Sequence, residues 1–167
     1  MIFFLNLAFK KGISQSLSNS KDFTNSNYSL DQFSLAPDIS YTRKSNLRIT
    51  LGYLYANKKN DPQYGGEFYS SQSVNTNIKY NILQNTSVQG SFMFTDIRYE
   101  TQNTDQLNST VSYVILNGLL PGKNYLWNLD FTKKLGNNLE VSIQYEGRKP
   151  GEGNIIHTGR ASLRAIL

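Results

Sequence analysis

Cysteine is absent from the 167 residues, histidine and tryptophan occur once each, and proline occurs four times. Without cysteine the chain has no disulfide framework and no thiolate metal site. The compartment stays open on that ground, because cysteine-free chains occur both inside and outside the cell. Any Ser-His-Asp arrangement would have to use His157, with partners drawn from elsewhere in the fold. No stretch approaches the roughly 20 apolar residues of a helical membrane span, which excludes a helical membrane protein. Metal-ligand spacings, a DxDxDG calcium loop and a phosphate-binding glycine signature are also missing. Gly65-Gly66 and Gly151-Glu152-Gly153 stand in polar stretches with no helix pattern behind them and read as turn glycines.

The net charge of +5, from 17 basic and 12 acidic residues, is spread over the chain with no basic stripe or basic helix. A nucleic-acid partner is therefore not expected. What the chain does have is tyrosine and phenylalanine, 11 and 9 residues, set in short alternating segments. The closing stretch shows the pattern: Ala161, Leu163, Ala165 and Leu167 share one face of a strand, and Arg160, Ser162 and Arg164 the other. The start reads the same way. Phe3, Leu5, Leu7 and Phe9 alternate with Asn6, Ala8 and Lys10, and Lys10 and Lys11 follow the apolar run instead of preceding it. A signal peptide has its charges in front and small residues at its cleavage site, so Met1 to Phe9 reads as a strand. An exported barrel without a signal points to a carboxy-terminal part of a longer protein or to a processed start.

Three hairpins follow from the alternation. Phe33, Leu35, Ile39 and Tyr41 enter a tight turn at Arg43 to Asn46, and Leu47, Ile49, Leu51, Tyr53 and Tyr55 leave it. Val74, Thr76, Ile78 and Tyr80 turn around Asn81 to Asn85 into Thr86, Val88, Phe92 and Phe94. Tyr125, Trp127, Leu129 and Phe131 turn through Lys133 to Asn138 into Leu139, Val141, Ile143 and Tyr145. Longer polar stretches, Gly12 to Asp31, Asn57 to Gly66, Glu100 to Asn124 and Arg148 to Asn154, lie between these short turns and alternate with them. Short turns on one side and long loops on the other are the pattern of a transmembrane β-barrel.

The expected fold is all-β: an antiparallel up-and-down transmembrane barrel of about eight strands, or the carboxy-terminal part of a larger barrel. Residues 1–167 make one barrel unit or barrel segment, and 100–124 an elaborated extracellular loop. Leu107, Ser109, Val111, Tyr113 and Ile115 also alternate. A ninth crossing there would break the up-and-down topology, so the segment is assigned outside the bilayer.

The predicted lumen-facing polar residues are Arg48, Lys79, Asp130, Glu140, Gln144, Arg160 and Arg164, with the four basic ones available to Asp38, Asp130, Glu140 or Glu146 as ion-pair partners. The predicted interfacial aromatics are Tyr41 and Tyr80 at the short-turn ends, and Tyr53, Tyr55, Tyr125, Trp127 and Tyr145 toward the long-loop ends. Phenol and indole rings suit such a boundary because the ring prefers hydrocarbon while the polar atom keeps a wet partner. Pro37 is awkward in a strand, where proline normally sits at an edge or bulge: the membrane-spanning part of the strand begins after it, or the wall is locally bulged, or the chain forms an open arc completed by another part of a larger barrel. Lys58, Lys59, Arg148 and Lys149 in the outer loops would meet lipopolysaccharide phosphates.

The segment Leu116 to Leu167, through its pieces GLLPGKNYLWNL and YEGRKPGEGNIIHTGR, resembles the end of large outer-membrane β-barrel proteins of the Bacteroidota. The resemblance implies a bacterial outer-membrane address, and the alternation of short turns and long loops sends the last strand down to a periplasmic carboxyl terminus. Implied partners are membrane lipid, lipopolysaccharide and the other subunits of an outer-membrane complex. Leu167 stands where that family usually ends in an aromatic residue. The piece Tyr113 to Tyr125 is also similar to the L-x-G-L-x-P-G-x-x-Y corner of fibronectin type III sandwiches, or is a plain Pro-Gly turn.

Three functional readings stand: a transport, secretion or anchoring barrel or barrel wall; a small closed barrel with a plugged lumen; and a soluble secreted β-sandwich binding carbohydrate or protein through Trp127 and the tyrosines. None calls for a catalytic residue, a cofactor or a metal. Glu140, Glu146 and Asp130 are expected in salt bridges instead of acid-base catalysis.

Overall fold

The computed structural model describes residues 2–18, 26–83, 85–101, 109–136 and 138–165. Leu107 and Leu167, both used in the strand readings above, lie outside the described residues. Eight strands form one sheet: β1 (Ile2–Ser16), β2 (Tyr28–Arg43), β3 (Leu47–Asn60), β4 (Phe68–Leu83), β5 (Thr86–Glu100), β6 (Gly122–Leu135), β7 (Leu139–Lys149) and β8 (Ile156–Ala165). A short helix, α1 (Thr110–Ile115), lies between β5 and β6. Each strand pairs antiparallel with the next, in the order β1 to β8 without a crossover. No described helix is long and apolar enough to cross a membrane, which says nothing of strands.

The strands run further than the apolar residues alone indicate. β1 continues to Ser16, and β2 begins at Tyr28, inside the stretch expected to be a loop. Backbone pairing does not need apolar side chains, so the ladder goes on where both faces are polar. The turns behave as the alternation predicts: Lys44 takes a positive φ in the β2–β3 turn and Gly136 does so in the β6–β7 turn. Val111 and Ile115 belong to α1, which Ser109 caps through its hydroxyl on the Ser112 amide. The alternative of a ninth strand there is thereby removed.

The sheet is not closed. Among the described residues β1 and β8 are its two edges, and no ladder joins them. β8 is exposed along its whole length and β1 along nearly all of it, on both faces. Pro37 therefore does not mark an edge: β2 is interior, and Pro37 pairs with Leu7. On its other side the β2–β3 ladder skips from Leu35–Tyr55 to Asp38–Gly52 without a change of register. The missing donor is accommodated by this gap and not by a bulge.

Register puts the predicted apolar residues on one surface. Leu5, Ile39 and Leu51 are cross-strand neighbours in turn, as are Val88, Phe131, Ile143 and Ala161. Their side chains are not covered by a second layer: Leu5 is 78% exposed, Leu51 49%, Leu129 49% and Leu163 68%. A β-sandwich would bury this surface under another sheet, and the described residues form only one.

The rows of paired residues also climb. Tyr41, near a short turn on β2, is connected through Ile49, Ile78, Gly90 and Leu129 to Tyr145, near a long loop on β7. Successive hairpins are thus staggered in one direction along the sheet.

Candidate functional site

The face opposite the apolar band is concave and polar, and it divides into two zones. The lower zone holds one continuous row: Thr42, Arg48, Lys79, Gln89, Asp130, Gln144 and Arg160 are successive cross-strand neighbours. Glu140 lies beside Arg164 and Lys134, nearer the short turns. The predicted lumen-facing set thus shares one face. The expected ion pairs are not made among the described residues. Asp38 instead accepts from the Asn6 amide at 3.0 Å, and Asp130 stands between Gln89 and Gln144. Sequence parity gave the face but not the offsets between strands, which set Arg48 between Thr42 and Lys79, Lys79 beside Gln89 and Arg160 beside Gln144, and only Arg164 of the four predicted cations opposite a carboxylate, Glu140.

Above that row a concave cavity of about 750 Å³ is lined by Asn75, Asn77, Ser91, Met93, Leu126, Asn128, Glu146, Arg148, Ile156 and Thr158. Its lining mixes amides, hydroxyls, one carboxylate and one guanidinium with apolar residues, Phe92 and Trp127 among them. The Asn128 carbonyl oxygen accepts from the Ser91 amide at 2.9 Å and from its hydroxyl. Arg148, expected in an outer loop, lines this cavity instead.

The upper zone was not foreseen. Leu30, Tyr69 and Ile97 come from the concave face and bury Val111, Ile115 and Leu116 of α1 and its C-cap, with Tyr28, Ala56, Tyr99 and Leu119 around them. The Tyr99 hydroxyl and the Ser112 hydroxyl are 2.6 Å apart. Lys58 closes the other end of the helix, donating to the Ile115 carbonyl at 2.7 Å and to the Asn117 side-chain oxygen at 2.9 Å. Its ammonium also lies 5.0 Å from the Tyr69 ring centre. Burial there, beyond the tyrosine level of β3, pulls its pKa below the ordinary lysine value. Lys58 is therefore a clasp on the α1 carboxyl end and not a free cation for lipopolysaccharide. Lys59 and Lys149 do face the convex side.

Two buried asparagines organise the long loops. Asn60 donates to the Tyr64 carbonyl and the Glu67 carboxylate, and accepts from the Ser29 and Asp61 amides. Asn124 donates to the Leu120 and Gly122 carbonyls and accepts from the Leu120 and Gly151 amides. The GLLPGKNY and KPGEG pieces thus meet through Asn124. Tyr125 points to the convex side and packs on Phe94 with ring centres 5.1 Å apart, so the fibronectin-like corner does not form.

On the convex surface the aromatics lie at the ends of the apolar band. Tyr41 packs on Phe3, and Tyr55 on Phe33. Tyr53 and Tyr80 are exposed. Trp127 lies over Gly147, where an added Cβ would fall 2.2 Å from the indole ring. Tyr145 stacks on His157 with its hydroxyl 2.8 Å from Nδ1, and Trp127 meets the same imidazole edge-on. His157 is thus an aromatic neighbour on the convex side, away from the concave carboxylates. No group of three or more His, Cys, Asp or Glu suited to a metal occurs among the described residues.

Beyond the row Tyr53, Val74, Phe94 and Tyr125 the chemistry of the two faces shifts. The convex positions become Tyr55, Gln72, Asp96 and Lys123 and then Asn57, Ser70 and Arg98, while the concave positions pass from Leu54, Ser73, Thr95 and Asn124 to Ala56, Ser71 and Ile97 and then to Lys58, Tyr69 and Tyr99. The polar side chain thus moves outward while the strand and its side-chain parity continue unchanged.

The sequence matches no family model, and no curated protein or solved structure matches it either.

Proposed function

We propose that this chain is the wall of a bacterial outer-membrane β-barrel, its convex band in lipid and its concave face toward a solute path. The barrel would serve transport or secretion, or anchor a surface assembly. The observation that carries this reading is the shift above the Tyr53–Tyr125 row. A protein wet on all sides has no reason to keep its apolar side chains outward over part of a strand and inward over the rest. A bilayer supplies the reason: outward apolar groups meet acyl chains within the membrane, and charged groups take the outward positions once the strand has left it. From Leu47 to Tyr55 the band runs about 26 Å along β3 at about 3.3 Å per residue, or about 20 Å of depth after a tilt of about 40°. That is close to the apolar height such barrels need.

The long-loop side would be extracellular and the carboxyl end periplasmic, with lipopolysaccharide and membrane lipid as the convex partners. α1 would narrow the passage at its outer mouth. The unpaired ladder edges of β1 and β8 favour the wall of a larger barrel over a closed small one, because an exposed edge of ten or more residues invites further strands. Fractionation of the native gene product tests the reading. Recovery from the outer membrane only with detergent is expected, and recovery in the aqueous fraction without detergent would overturn it.

A further inference from the structure

We propose that Arg48 and Lys79 form a binding site for a small dissolved oxyanion on the concave face. The proposal rests on that face being the solute-facing side. The two side chains are direct cross-strand neighbours on β3 and β4, a geometry that sets β-carbons about 5 Å apart and makes like charges repel. A folded protein with no use for the repulsion would place a carboxylate beside them. Here the neighbours in the same row are Thr42 and Gln89, and the next row holds Thr50 and Asn77. Asp130, the first carboxylate along the row, is two strands from Lys79, about 10 Å away. Neither cation has an ion-pair partner among the described residues.

The surroundings suit an anion. Arg48, Thr50, Asn77, Lys79 and Gln89, with Ile78, line an open depression of about 220 Å³, roughly seven times the volume a water molecule takes in the liquid. The guanidinium offers a planar fork of N–H donors, the ammonium a rotatable point charge, and Asn77 and Gln89 neutral amide donors. Two charges meeting one oxyanion would turn a repulsion into a pair of charge-assisted contacts. Asn77 also lines the larger concave cavity, so the site opens onto the solute path. Phosphate, sulfate and a carboxylate share the required chemistry.

The test uses the full-length protein in neutral detergent, titrated with inorganic phosphate at constant ionic strength and followed by calorimetry. Saturable binding is expected, weakened at least tenfold in Arg48→Gln/Lys79→Gln and unchanged in Lys133→Gln/Lys134→Gln, which removes as much charge elsewhere. Lys79→Arg should keep the affinity, so a failure of the double variant to fold leaves a second measurement. No saturable phosphate binding by the unsubstituted protein, or an equal loss in the Lys133/Lys134 control, overturns the proposal. Binding only to vesicles containing phosphatidylglycerol, and not to phosphate, also overturns it, in favour of a lipid headgroup. Failure of phosphate binding in a protein that still fractionates with the outer membrane sinks the anion site alone. Recovery from the aqueous fraction sinks the membrane reading instead.

Discussion

Replacing Leu51 with arginine separates lipid from water as the medium on the convex side. Leu51 is paired with Ile39 and Thr76, and stands four residues from Leu47 and four from Tyr55. At about 3.3 Å per residue it is about 13 Å along the strand from either end of the apolar band, or about 10 Å in depth after tilt, which is near the midplane. An arginine there should cost about 2–4 kcal/mol, roughly a 30- to 900-fold change in the folding equilibrium. In water the same change at a side chain that is 49% exposed should stay within about 0.5 kcal/mol. Leu163→Arg, two residues from the end of β8, should cost less than Leu51→Arg because the penalty falls toward the interface. Ser162→Arg, on the concave face, should be nearly neutral. The assay is urea-dependent folding of the full-length protein into phospholipid vesicles, scored for each variant. Equal small effects at all three positions would refute the assignment of the convex face to lipid.

Gly147→Ala should destabilise by about 1–3 kcal/mol, because the new methyl overlaps the Trp127 ring; Trp127→Val in the same chain should recover most of the loss, as a double-mutant cycle in denaturant would register. Asn124→Ala should cost about 1–3 kcal/mol by leaving the Leu120 and Gly151 amides without their acceptor, read as loss of amide-exchange protection at both. Lys58→Met should free the carboxyl end of α1 and raise amide exchange over residues 112–118, while β6 and β7 keep their protection. Unchanged exchange in α1 would mean that the apolar contacts alone hold it.

The lower part of the fold was legible because every strand there follows one rule. Outward apolar and inward polar residues at a period of two define the strand, the face and the turn at once, and short turns such as Arg43 to Asn46 punctuate them. The upper part was not legible by that rule. Ile97 and Tyr99 have the parity of Ser91 and Gln89 but the chemistry of Phe92 and Phe94. A reading that assigns faces by chemistry gives these residues no face. The signal was nevertheless present in β5, where the apolar member of the alternation passes from Phe92 and Phe94 to Ile97 and Tyr99, of the other parity, across the polar pair Thr95-Asp96.

The same shift explains why α1 lies where it does. Once the strands pass the tyrosine row, Leu30, Tyr69 and Ile97 would expose apolar surface to water on the concave side unless something covered it. Val111, Ile115 and Leu116 supply the cover. A six-residue helix is too short to be stable by itself, and its last carbonyls need partners, a need the Lys58 ammonium meets at Ile115. Helix and concave patch are therefore mutually dependent: the patch gives α1 its reason to fold, and α1 covers the apolar side chains that the strands carry on their concave side beyond the tyrosine row. Truncating Ile97 to alanine should then loosen α1 as well as β5. Because the two surfaces share one cluster, amide exchange should rise together in residues 111–116 and 95–99. A rise confined to β5 would show that the helix is held by its polar contacts instead.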